Sequence, residues 1–276
     1  MGIINVTPDS FSGDGLLTDE AWVNRAVTQA QKFVAAGADI LDIGGESTRP
    51  GAAQVEVDEE LERVVPVIKA LRQAVDVPLS IDTYKAKVAD AAIKAGADMV
   101  NDVWSLQMDS DMAEVCAAHQ VPIILMHNRS SPRNAVQEAQ LGGRYIGNEY
   151  SDLLGDIASE LQQSIQLAKQ AGIPDEHIIL DTGIGFGKTV AQNLHLLNRT
   201  DYFKLLGYPL LIGPSNKSFI GYTLDLPSND RTEGTAAAVA IAIARGADII
   251  RVHQVEQMTR VARMTDALVR TAYSPT

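Results

Sequence analysis

The chain reads as an α/β protein, a single (β/α)8 TIM barrel over residues 1–276, on three observations. Short runs of Val, Ile and Leu recur at 2–5, 39–42, 78–82, 98–101, 121–126, 178–181, 209–213 and 248–253, and each ends in, or leads into, a polar residue suited to chemistry. Segments with helical periodicity separate them. The junction Ala-Gly-Ala-Asp occurs at 36–39 and 95–98, with Arg-Gly-Ala-Asp at 245–248, and has the form of a helix end, a left-handed Gly cap and entry into a strand. In such a barrel the strand C-termini and the loops after them build the active site, so a full set of polar strand ends points to an enzyme.

Each element has its own signature. Alternation along the strands sets Asn5 opposite Ile4 and Val6, pairs Ser80 with Asp82 and Arg251 with His253, and sets Asp181 opposite Ile178 and Leu180. The polar set therefore takes the inward parity. Helices are expected at 19–36, 57–74, 84–95, 110–118, 148–171, 190–205, 230–245 and 255–271, with Pro78, Pro174 and Pro209 near strand entrances, where proline is tolerated. Two long loops, 7–18 and 49–57, and an irregular polar stretch at 128–147 are expected to carry function on a rigid scaffold.

Composition narrows the class. With 276 residues and 46% hydrophobic content the chain can bury one sizeable core. A net charge of −12 without a Lys/Arg cluster argues against a nucleic-acid surface, though local positive charge can still hold an anion. No apolar run approaches the ~20 residues of a membrane span. The single cysteine, Cys116, precludes an internal disulfide and suits a reducing, cytoplasmic setting. The first residues lack the basic start and apolar stretch of a signal peptide.

Several motifs carry candidate chemistry. The glycines at 183, 185 and 187 fit neither a P-loop nor a dinucleotide fingerprint, which leaves a flexible loop after an inward Asp whose backbone can approach a flat ligand. Arg251 either pairs with Asp42 or another barrel carboxylate, or clamps a phosphate with its planar fork. His253 beside it, Arg49 after the second strand and Lys217 after the seventh bring cations from three strand ends and favour an anionic ligand. Asp82, Asn101 and Asp181 can read the N–H and amino groups of a heterocycle, although Asp82 alone could be a helix cap. His127 is either a substrate contact or a satisfied rim histidine. Cys116 reads as core, and no zinc spacing is present.

With these residues in view, the chain resembles the dihydropteroate synthase family over essentially its whole length. The motifs are Ile4-Asn-Val-Thr-Pro-Asp-Ser-Phe-Ser12, Asp42-Ile-Gly-Gly-Glu-Ser-Thr-Arg-Pro-Gly51, Ser80-Ile-Asp-Thr83, Asn101-Asp102, Ser215-Asn-Lys-Ser-Phe-Ile-Gly221 and Arg251-Val-His253. The resemblance implies a transferase of folate biosynthesis that joins 4-aminobenzoate to 6-hydroxymethyl-7,8-dihydropterin diphosphate and releases pyrophosphate. It implies that Asp82, Asn101, Asp181 and Lys217 hold the pterin and that Asn5 ligates Mg2+ on the diphosphate. Thr48, Arg49, Arg251 and His253 would bind the diphosphate or the ordered state of the loops, while Ser215, with Pro50 and Phe186 nearby, would line the aminobenzoate site. A homodimer is implied as well. The chain departs from the family pattern at Thr182, Asn216 and Gln254, where Pro, Arg and Asp are usual. Two other readings fit some of these residues: a pterin-binding paralogue with weak or no synthase activity, and a methyltetrahydrofolate-dependent methyltransferase module. The second leaves the loop after Asn5 unexplained.

Overall fold

The computed structural model describes residues 1–6, 21–47, 52–131, 135–138, 140–146 and 149–270. From the N-terminus, strands β1 (Gly2–Asn5), β2 (Leu41–Gly44), β3 (Leu79–Asp82), β4 (Met99–Asp102) and β5 (Ile123–Met126) pair in sequence order, all parallel. An antiparallel hairpin, β6 (Ala135–Glu138) and β7 (Gly142–Tyr145), forms a separate sheet. Strands β8 (Ile178–Asp181), β9 (Leu210–Ile212) and β10 (Ile249–Ile250) then complete an eight-stranded parallel sheet. Gly2 bridges Val252 in parallel, with Ile3 N–H donating to Val252 O at 3.1 Å and Val252 N–H to Met1 O at 3.0 Å. That bridge closes the sheet into the expected barrel.

The helices described are α1 (Ala21–Ala35), α2 (Val57–Ala74), α3 (Ala86–Ala95), α4 (Met112–His119), α5 (Leu153–Gln170), α6 (Val190–Asn198), α7 (Ser218–Leu224), α8 (Thr232–Ala244) and α9 (Val255–Val269). Three expectations are corrected. The stretch 128–147 is not wholly irregular but contains the β6–β7 hairpin. The segment expected as one helix at 190–205 ends at Asn198, and a 3-10 helix, Thr200–Leu206, follows. Helix α7, only seven residues long, was not anticipated. In each case the element is too short for periodicity to declare it.

The recurrent junctions do more than cap helices. Gly37, Gly96 and Gly246 are left-handed, and Ala38, Ala97 and Ala247 N–H reach back to Phe33, Ala92 and Ala242 carbonyls. Asp98 Oδ2 then accepts Leu79 N–H at 2.7 Å, and Asp248 Oδ2 accepts Leu210 N–H at 2.8 Å. The acidic residue thus satisfies the first N–H of the neighbouring strand.

Alternation divides the core. Outward residues such as Ile43, Leu79, Ile81, Leu125 and Leu180 join the main cluster between sheet and helices. Inward residues near the strand starts, Met1, Met99, Ile124 and Leu211 with Ile40, Ile179 and Ile249, form a separate apolar plug. Each large side chain so buried stabilises the fold by roughly 1.5–3 kcal/mol. Above this plug polar side chains take inward positions at Asn5, Asp42, Ser80, Asp82, Asn101, Asp181 and Arg251, which concentrates chemistry at the C-terminal rim. Cys116 is buried in the main cluster, and burial pushes its thiol up to about 12, so it packs as a small hydrophobe. Among the described residues no helix is long and apolar enough to cross a membrane.

Candidate active site

Asn5, Gly44, Asp82 and Asn101 are successive Cα partners across β1 to β4, so they form one inward row at the rim. Gly44 carries no side chain between Asn5 and Asp82, and the Asp82 carboxylate lies against it. Across the barrel, Arg251 Nε donates to Asp42 Oδ2 at 2.6 Å and Arg251 Nη2 to Asp82 Oδ2 at 2.5 Å. Asn101 Nδ2 donates to the same Asp42 oxygen at 3.1 Å. Of the two readings open for Arg251, pairing with barrel carboxylates is therefore realised. A guanidinium has five N–H donors, and these two bonds do not exhaust them.

Burial dominates the electrostatics. It pushes the Asp82 carboxyl up to about 7 even though Arg251 pulls the other way, and Asp42 adds to the rise. Asp181, at the end of β8, is also pushed up by burial, to about 6, against a Gly183 N–H bond of 2.7 Å and the charges of Lys217, Arg251 and Lys188. Burial opposes the charge on Arg251, but Asp42 and Asp82 together raise its pKa. Among the described residues, Asp42 Oδ1, Ser80 Oγ and Thr182 Oγ1 are buried without a hydrogen-bond partner. Buried polar atoms of this kind suit a ligand with donors of its own.

Lys217 lies with its ammonium 4.0 Å from the centroid of the Phe186 ring. Phe186 packs in turn with Val103 and Met126, flanked by Tyr84 and Trp104, in an apolar cluster separate from the main core. Sequence reasoning singled out Phe186 and passed over its companions. Val103, Tyr84 and Met126 continue the inward parity of Asn101, Asp82 and Ile124, so the alternation already contained the signal.

Ser215 Oγ and His253 Nδ1 are 2.9 Å apart, and His253 N–H donates to the same hydroxyl at 3.1 Å. The departures at 216 and 254 meet here. Gln254 Nε2 donates to Asn216 Oδ1 at 3.2 Å, so the two unusual residues form a matched neutral pair. Asn216 is in the left-handed region, which Asn tolerates better than most residues. Thr48, Arg49 and Pro50, and the loop 7–18, lie outside the described residues. The base of the 45–56 loop is nonetheless held, because Lys85 Nζ reaches Glu46 and Glu60 carboxylates at 2.5 Å each and Val55 O at 2.7 Å.

The loop after β8 requires a correction. The loop is tightly bonded rather than flexible, and two of its three glycines, Gly183 and Gly187, face neighbouring backbone while Gly185 faces Lys217. A Cβ at Gly183 would overlap the His127 carbonyl oxygen, and one at Gly187 would lie 2.6 Å from Ser130 N. Both residues have positive φ. The missing side chains let the loop lie against the chain segment after β5.

His127 is buried, with Nε2 3.0 Å from Glu160 Oε2 and Nδ1 3.0 Å from Lys188 Nζ. Of the two readings for this histidine, the satisfied one holds. Lys188 was not singled out from the sequence, because the segment around it invited comparison only with nucleotide loops.

This geometry has parallels in known proteins. Residues 1–253 match a family model described as a pterin binding enzyme. Dihydropteroate synthases of Clostridium beijerinckii and Bacillus subtilis are each 49% identical, over 98% of this chain and 94% and 88% of their own. A Clostridium difficile dihydropteroate synthase crystallised in the presence of pteroic acid superposes with a TM-score of 0.89 at 46% identity, covering 98% of this chain and 96% of that one. The Xanthomonas albilineans enzyme with 4-aminobenzoic acid gives 0.88 at 38% identity, with 99% and 93% covered. The methyltransferase reading is set aside. With its rim of pterin-competent polar groups and these relatives over nearly its full length, the chain belongs to the dihydropteroate synthase family of pterin-binding enzymes.

Proposed function

We propose that the barrel mouth condenses 4-aminobenzoate with 6-hydroxymethyl-7,8-dihydropterin diphosphate through the residues of its C-terminal rim. The observation that carries the reading is the grouping of buried Asp82, Asn101 and Asp181 with Lys217 above the Phe186 cluster. The carboxylates accept from the pterin ring N–H and amino groups, and the apolar side chains cover its face. Arg251, His253 and Lys217, with Arg49 from the second loop, stabilise charge as the C–O bond to diphosphate breaks. The leaving group takes the bonding pair, the aniline nitrogen of aminobenzoate bonds to the exocyclic methylene carbon, and that nitrogen releases a proton. No enzyme nucleophile is needed. Ser215 and Phe186 line the aminobenzoate side.

Among the described residues no group of three or more His, Cys, Asp or Glu side chains is arranged to hold a metal. Asn5 offers one neutral oxygen donor at the end of β1, which fits Mg2+ arriving with the diphosphate better than a resident ion. Bound there, Mg2+ would neutralise charge on the departing group. Homodimer formation is supported by exposed Met264 and Leu268, one turn apart on α9, and by exposed Ile241 on α8. The buried thiol of Cys116 fits a cytoplasmic setting.

Calorimetric titration with pterin diphosphate tests the site. Asp181→Asn is expected to weaken binding by roughly 1–3 kcal/mol with little change in melting temperature. Binding near pH 6.5 should release protons, because the ring donors favour the charged forms of Asp82 and Asp181, and affinity should decline as pH falls through about 7 and then about 6. Folding responds with the opposite sign. Between the ordinary carboxylate range and these values the native chain holds more protons than the unfolded one, so stability declines as pH rises. Unchanged affinity in a folded Asp181→Asn chain would remove that residue from the site.

The departure at 216 makes its own prediction. Asn216→Arg is expected to lower the aminobenzoate KM, or raise turnover, by adding a cation and an aliphatic stem, and to leave pterin diphosphate affinity within a few-fold. The variant should melt a few degrees lower, since it places Arg at positive φ and removes the acceptor of Gln254 Nε2. Kinetics with each substrate varied separately decide it, and no change in either parameter would sink this account.

A further inference from the structure

We infer that Lys188 is a positioning residue for pterin recognition: it locks the 182–187 loop from beneath, and the Arg129–Glu160–His127 chain holds it in place. The inference rests on the reading of the rim as a pterin site.

The Lys188 ammonium is buried under the loop. Its three contacts are Gly183 O at 2.9 Å, Phe186 O at 3.0 Å and His127 Nδ1 at 3.0 Å. An ammonium has three donors, and these acceptors match them one for one. Two of the three are backbone carbonyls of the segment that carries Phe186 against Lys217 and ties Gly183 to Asp181. Lys188 therefore fixes the distance between the loop's Asp end and its Phe end.

The third contact links the loop to the surface. The Lys188 ammonium can only donate and an ionised Glu160 can only accept, so opposite the charged lysine His127 is the neutral tautomer with its proton on Nε2. The electrostatics agree: burial drives His127 down to about 4, and the His127 bond, with help from Arg129, draws Glu160 down to about 2. Arg129 Nε donates to Glu160 Oε1 at 2.9 Å, and its guanidinium lies 4.3 Å from the Tyr150 ring centroid. From the other side Asn193 on α6 accepts Gly185 N–H at 2.6 Å, so the loop is clamped from two elements.

A merely structural role accounts poorly for this arrangement. Burial of a cation whose direct contacts are two carbonyls and a neutral imidazole is costly, and the carboxylates of Asp181 and Glu160 offset that cost only through space. Burial indeed pulls the Lys188 amine down to about 7. Between that value and the ordinary lysine range the unfolded chain holds more protons than the native one, so stability rises with pH across that range and the full cost of burial applies at neutral pH and below. What the ammonium supplies in return is loop geometry.

The test compares the full-length wild type with Lys188→Met and Glu160→Gln. Each is titrated with pterin diphosphate and Mg2+ by calorimetry, and assayed with each substrate varied separately. Lys188→Met is expected to weaken pterin diphosphate binding about tenfold or more and to raise its KM in step. Turnover at saturating pterin should stay within about threefold, the aminobenzoate KM should rise by a smaller factor than the pterin KM because only Phe186 of the anchored loop faces that substrate, and the melting temperature should stay within a few degrees. Glu160→Gln should move pterin affinity the same way by a smaller factor. Wild-type pterin affinity in Lys188→Met, or equal losses for both substrates, would overturn the inference. If Lys188→Met does not fold, Glu160→Gln decides: weakened pterin binding supports the inference and unaltered binding overturns it. A wild type that binds no pterin diphosphate would instead overturn the reading of the site, and this inference with it.

Discussion

Replacing Arg251 by methionine is expected to destabilise the fold by about 3–5 kcal/mol, the cost of leaving buried charge uncompensated. The guanidinium is bonded to both Asp42, which is fully buried, and Asp82. Methionine fills much of the volume but offers neither carboxylate a donor. The pH dependence distinguishes this mechanism from simple loss of packing. Without the guanidinium, Asp82, whose pKa burial and the neighbouring Asp42 already raise, binds its proton more readily still, so the native variant holds more protons than its unfolded state across the acid-to-neutral range. Its stability must fall as pH rises. Denaturant unfolding at pH 5.5 and pH 8 should show a wider gap from wild type at the higher pH, and adding Asp42→Asn should narrow it. An equal gap at both pH values would mean that the ion pairs are not what Arg251 contributes.

Gly183→Ala is the second large effect, and it should fall on function. At φ +68° an alanine is strained by roughly 1–2 kcal/mol before any contact is considered. Its Cβ would also overlap the His127 carbonyl oxygen. That carbonyl cannot withdraw easily, because His127 N–H is tied to Asp181 O at 2.9 Å. The loop must move instead, taking with it the Gly183 N–H that orients Asp181. Pterin affinity should drop at least about tenfold, which needs only 1.4 kcal/mol. Gly172→Ala is the control: it carries the same kind of backbone strain at φ +93°, but no heavy atom lies within 4 Å of its Cβ. It should lose stability and keep pterin affinity. Equal pterin affinity in the two variants would refute the steric account.

Much of the barrel was legible because its signals are local. The runs 2–5 and 178–181 coincide with β1 and β8, and 57–74 coincides with α2. The Gly-Ala-Asp junctions mark helix ends because the left-handed cap and the strand-capping Asp are short-range devices. The run expected at 39–42 is observed two residues later, at Leu41–Gly44. Gly44 pairs well in a sheet closed on both sides although its residue type argues against a strand. The β6–β7 hairpin and α7 stayed hidden because short elements draw definition from their neighbours. Arg231, for example, donates to Leu141 O beside β7, Leu226 O after α7 and Asn216 O after β9.

The sequence by itself determined the fold class, the inward parity of Asn5, Asp82, Asn101, Asp181, Arg251 and His253, and the family. Period-2 and period-3.6 patterns and contiguous motifs are written within a few residues of one another, and burial preference suffices to read them. The tertiary structure decided which of these groups engage one another. Arg251 meets Asp42 across 209 positions of chain only because β10 closes onto β1. Lys188, set in what reads as a failed nucleotide motif, becomes a three-point anchor only because the loop folds back over His127. Such pairings depend on barrel closure and on the exclusion of water from the rim, which no local pattern encodes.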